Sequence, residues 1–117
     1  MPSTTNYDFG DVLLVPFPFS NQAAVKKRPA VVVSSSAYNQ TRPDLIILAL
    51  TSQPPGPSVF GGTSLSHWKG AGLLKPSVFK PILATIEKGL VIQKMGRLHA
   101  SDQKTLQQIL KTIITFN

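Results

Sequence analysis

The chain has 117 residues, of which 42% are hydrophobic, no cysteine, and a formal charge of +7. That is one domain's worth of sequence with enough apolar content to exclude an intrinsically disordered chain, and the missing cysteine excludes disulfide and thiolate chemistry. Twelve Lys and Arg against five Asp and Glu give either a plain basic surface or a face for a polyanion or an acidic protein.

The N-terminal residues 1–7 read as a flexible arm, and residues 8–117 as a single domain. Asp8 to Gly10 is a turn, and Val12 to Val15 a strand rich in the branched side chains that suit a pleated sheet. Pro16 and Pro18 each lack a ladder donor, so the strand must there be an edge, a bulge or an exit. Ser20 to Arg28 reads as a polar loop ending in Lys26, Lys27 and Arg28. Pro29 biases Arg28 toward extended geometry. Ala30 to Val33 is a central strand paired with the first, Ser34 to Pro43 is turn-like, and Leu45 to Leu50 is a buried strand. Thr51 to Gly62, rich in Ser, Pro and Gly, is an exposed loop, and His67 to Gly72 a second irregular stretch. Val78 to Ile86 has strand character that Pro81 interrupts, as two pieces or a bulge. Glu87 to Leu90 forms one helical turn, and a last short strand runs around Gly96. Leu106, Ile109, Leu110, Ile113 and Ile114 recur at helical spacing and give a terminal helix an apolar face for the sheet, with Ser101 or Asp102 as its cap. Short strands followed by one helix predict a mainly β fold, a small and strongly curved barrel.

Histidines 67 and 99 lie far apart without a carboxylate cluster, so no metal site and no cofactor are expected. Neither a phosphate-binding Walker loop nor a serine-hydrolase elbow is present. No apolar run reaches the length of a membrane span and the start lacks a secretion signal, which makes the cytoplasm the expected compartment.

Arg28 leads the candidate site residues. Its planar fork can grip a phosphate through two nitrogens and it keeps its charge, which suits stabilisation of a growing phosphorane. Thr51 opens a loop after a buried strand, where a hydroxyl can meet a ligand, and Ser52 and Gln53 add hydrogen-bonding groups. Lys26 and Lys27 can steer a phosphate backbone. His67 has a side chain suited to proton transfer, Trp68 a face on which a base can stack, and Lys80 extends the basic surface. Each also has an ordinary reading as surface charge, strand-end cap or packing residue.

Taken in order, GDVLLVPFPF at 10–19, KKRPAVVVS at 26–34, LIILALTSQ at 45–53, AGLLKPSVFKP at 71–81 and MGRLHASD at 95–102 resemble the MazF/PemK family of toxin–antitoxin endoribonucleases, from about Phe9 to Ile114. The resemblance implies an SH3-like barrel, a homodimer, and metal-independent cleavage of single-stranded RNA at short motifs. It places the family's catalytic arginine on Arg28 and its threonine on Thr51. The RNA's own 2′-hydroxyl would attack, leaving a 2′,3′-cyclic phosphate and a 5′-hydroxyl, and an acidic cognate antitoxin would neutralise the toxin. Many relatives carry an Arg or Gln in the segment equivalent to Ile82 to Thr85, and Ile82, Leu83 and Ala84 offer neither. That departure keeps a second reading open: a non-catalytic nucleic-acid-binding or gyrase-inhibiting toxin of the same barrel.

Overall fold

Among the described residues, the pairing of six strands accounts for the architecture. A computed structural model describes residues 6–17, 26–53 and 63–116. The first five residues of the expected arm, residues 18–25 of the first connection and residues 54–62 of the expected Thr51–Gly62 loop fall outside them. The strands are β1 (Asp11–Phe17), β2 (Lys26–Val32), β3 (Asp44–Thr51), β4 (Thr63–Ser64), β5 (Val78–Glu87) and β6 (Gln93–Arg97), with helices α1 (Ser36–Thr41) and α2 (Ala100–Ile113). They form one sheet in the order β4-β5-β3-β2-β1-β6. All the ladders are antiparallel.

Alternation along the strands sends successive side chains to opposite faces, and both faces are buried. Val12, Val31, Leu48, Leu50 and Phe79 join Leu65, Leu98 and Leu106 in one cluster. Leu13, Val15, Ala30, Val32, Ile47 and Ala49 join Leu45 and Ile86 in the other. Helix α2 covers the first cluster: Leu106 is fully buried in it, and Ile109, Leu110 and Ile113 pack against it. Ile114, counted with that face in the sequence, is instead the helix's C-cap and is exposed. Leu106→Ala leaves a cavity between helix and sheet, so unfolding in denaturant should show a loss of about 2–5 kcal/mol.

The prolines sit where a donor is not required. The β1–β6 ladder ends at Leu14↔Gln93, so Pro16 lies beyond it with only β2 as neighbour, paired to Lys27. The β2–β3 ladder begins at Ala30↔Ala49, one residue past Pro29. Between Leu48↔Leu83 and Leu50↔Phe79 the β3–β5 register shifts, and Pro81 falls in that bulge. Ile82 and Ala84 then pack against the second cluster while Leu83 is exposed.

Three local features differ from the sequence reading. Lys26, Lys27 and Arg28 belong to strand β2, paired with Phe17, Pro16 and Val15, because β1 continues through Pro16 and offers them a partner. Residues 36–41, read as a turn, form α1, which the Ser35 side chain caps by accepting from the Tyr38 N–H. The cap of α2 is His99, whose Nδ1 accepts from the Ser101 N–H at 3.1 Å. Asp102 is not the cap because its carboxylate turns inward: it is 1% exposed and accepts from the Ser66 and His67 N–H groups, both at 2.9 Å.

A curved, mainly β half-barrel with a C-terminal helix results, matching the expected SH3-like class. Among the described residues no helix is long and apolar enough to cross a membrane.

Candidate active site

The ladder between β2 and β3 pairs Ala30 with Ala49, Val31 with Leu48 and Val32 with Ile47. Arg28 and Thr51 lie two residues beyond the last pair, one on each strand. Pro29 has no N–H to continue the ladder, and the two strand ends flank a depression of about 300 Å³. Its lining includes Arg28, Thr51, Lys27, Ser52, Gln53 and Lys75. Arg28 is half-buried; Ser52 and Gln53 are exposed. The Thr51 Oγ1 accepts from the Gln53 N–H at 3.1 Å, which fixes the hydroxyl while leaving its proton to donate outward.

Leu73, Leu74, Ser77 and Met95 complete much of the wall. Sequence reasoning did not select them as site residues. Leu74 is 89% exposed, an apolar side chain held at the rim in water. The signal available was its place between a turn at Ala71–Gly72 and the rigid Pro76. A close backbone crossing puts it there: a Cβ at Gly72 would overlap the Met95 carbonyl oxygen, and one at Gly96 the Ala71 carbonyl oxygen. Gly72 also has φ +88°, a conformation that glycine alone adopts without strain.

The remaining expected residues lie elsewhere. Lys26 is exposed near the start of β2 and Lys80 is exposed in β5, and neither lines the depression. His67 and Trp68 line a second depression of about 530 Å³ with Ser66, Lys69, Gly70, Arg97 and His99. A third, of about 650 Å³, lies beside Arg42, Asp44, Ala84 and Leu90. There the Tyr38 hydroxyl first, then Arg42, hold the Asp44 carboxyl below its usual range.

The family of PemK-like, MazF-like toxins of type II toxin–antitoxin systems matches residues 8–114. Among solved structures, MazF from Deinococcus radiodurans is 17% identical, with a TM-score of 0.73 over 97% of this chain and 100% of that one. The Mycobacterium tuberculosis toxin MazF-mt6 is 17% identical, with a TM-score of 0.68 over 87% of this chain and 93% of that one. An endoribonuclease in complex with its cognate antitoxin, from a mycobacterial species, is 18% identical, with a TM-score of 0.64 over 93% of each chain. At these identities the structures share the fold. A comparison with curated proteins finds no match.

Proposed function

Because the chain belongs to the PemK-like, MazF-like toxins of type II toxin–antitoxin systems, a family of metal-independent endoribonucleases that cleave single-stranded RNA and are neutralised by antitoxins, we propose that Arg28 and Thr51 carry that cleavage and that the depression between them holds the scissile phosphodiester. The observation that supports this reading is that a cationic fork and a hydroxyl, Arg28 and Thr51, line one depression at the point where the β2–β3 ladder stops.

The substrate supplies its own nucleophile. The 2′-oxygen attacks the adjacent phosphorus, its proton leaves to a base, and the bond to the 5′-oxygen breaks with a proton delivered to that oxygen. The products are a 2′,3′-cyclic phosphate and a 5′-hydroxyl. No activated Ser or Cys is needed, and rate comes from holding the attacking oxygen in line and stabilising charge on the non-bridging oxygens. Arg28 donates to those oxygens through its fork. Thr51 donates its remaining proton to the same group. Gln53 and Ser52 offer hydrogen bonds to a base edge or a sugar, and Lys27 and Lys75 attract the flanking phosphates.

Residues 8–117 act in this reading as one unit, working in the cytoplasm as a growth-inhibiting homodimer. An acidic cognate antitoxin is drawn to the +7 chain by long-range charge. Sequencing the 5′ ends made from a long mixed RNA in the presence of chelator tests the activity and reads its motif together. Discrete sites bearing 5′-hydroxyls support the proposal. Intact RNA from a protein that poisons gyrase selects the non-catalytic reading instead. Sedimentation at micromolar concentration should give the mass of two chains, and a strict monomer removes the dimer.

A further inference from the structure

The second depression, outside the proposed cleavage site, has a different chemistry. The His67 and His99 rings stack at 3.9 Å between centroids, 17° from parallel. Ser101 Oγ lies 2.9 Å from His99 Nδ1 and 3.4 Å from His67 Nδ1. The half-buried Trp68 packs on the first core cluster, and the Lys69 ammonium sits 5.7 Å from its ring centroid. Arg97 is 51% exposed although one nitrogen is held by Asp11 at 2.8 Å. Flat rings and cations thus line one opening of about 530 Å³.

The nearby carboxylates do not turn it away from anions. Asp102 is buried, and its oxygens accept the Ser66 and His67 N–H groups, with His67 Nδ1 3.9 Å from Oδ2. Asp11 is equally buried, with Lys94 at 3.1 Å and Arg97 at 2.8 Å.

Its position links it to the cleavage site. Residues 66–70 line this depression and residues 73–75 and 77 line the other; Arg97 belongs to this one and Met95 to the other. The crossing of Ala71–Gly72 over Met95–Gly96 lies between them. Met95 and Arg97 are two residues apart on β6, so the two hollows have neighbouring walls, as one strand of RNA running through both requires.

We propose that the His67–Trp68–Lys69–Arg97–His99 depression is a flanking subsite for single-stranded RNA, which takes a nucleobase against the rings and its phosphate on Lys69 and Arg97. This rests on the ribonuclease reading of the neighbouring cleft. An RNA strand fits better than an acidic peptide because a peptide would use the cations and leave the ring faces unused, whereas every base has a face to stack. The subsite adds affinity and context preference beyond the cleavage motif and takes no part in the chemistry.

The test compares two 2′-O-methyl RNAs, which cannot be cleaved: a short one, and the same sequence extended by several nucleotides on each side. Binding is read by anisotropy for the wild type, Lys69→Glu and His67→Ala, with circular dichroism to confirm folding. The wild type should gain about 5- to 100-fold in affinity on extension. Both variants should lose most of that gain while binding the short RNA like the wild type, and Lys69→Glu should reduce the salt slope by about one. No gain on extension, or a gain that both variants keep, overturns the subsite. So does a glutamate-rich peptide whose binding depends on Lys69 where RNA extension does not. Cleavage of a short unmodified RNA by wild type and Lys69→Glu runs in parallel: loss of the subsite leaves that cleavage intact, whereas failure of the ribonuclease reading abolishes it and leaves the binding comparison readable.

Discussion

Replacing Arg28 with Ala should lower single-turnover cleavage by about 10²–10³-fold, the scale seen when one preorganised donor to a developing oxyanion is removed. Affinity for an uncleavable RNA should fall by less than about tenfold, because Lys27 and Lys75 remain in the same depression. That split follows from geometry. The arginine and Thr51 line one depression, and in the proposed mechanism charge accumulates there only as the phosphorus takes on its fifth oxygen. Arg28→Lys keeps the charge and discards the planar fork, so it should restore binding without restoring the rate. Equal losses of rate and affinity in Arg28→Ala would reduce Arg28 to a binding residue and remove the mechanism.

Gly72→Ala should destabilise the fold by at least ~3 kcal/mol, combining the left-handed backbone penalty with a Cβ that has no room. For a chain of this size that amounts to a fall in Tm of about 10–20 °C. The obstacle is the backbone carbonyl of Met95, which cannot rotate aside as a side chain can. By contrast, a Cβ at Gly10 meets only the flexible Gln103 side chain, and one at Gly89 meets nothing within 4 Å. Gly89→Ala is therefore the control, expected within about 1 kcal/mol of the wild type. A Gly72→Ala protein that melts like Gly89→Ala would contradict the close crossing and the wall it builds for the candidate depression.

Much of the scaffold is legible in the chain because its central strands are unbroken apolar runs. Val12–Val15, Ala30–Val33 and Leu45–Leu50 are apolar on both faces of the strand, and the structure buries them on both faces. The Pro81 interruption was visible as a break in strand chemistry and is a bulge. What stayed hidden depends on distant partners. Strand β2 begins at Lys26 because β1 runs on through Pro16 to meet it, and no window of residues 20–28 contains that information. The inward turn of Asp102 toward Ser66 and His67 spans more than thirty positions of sequence, so a local rule assigns the cap to the wrong side chain. Arg28 and Thr51 are each visible as chemistry, but that they line one depression depends on the pairing of β2 with β3, which no local stretch of sequence carries. His67 and Trp68 had been grouped with them by chemical type and lie in a different hollow.

Pro29 has one further effect. A peptide reaching the mouth of the site finds no amide hydrogen there to receive its carbonyl, so it cannot be zipped on as an added strand at that point. A polynucleotide, which has no main-chain carbonyl seeking such a partner, gives up nothing there, whereas an added peptide strand would leave one carbonyl unanswered.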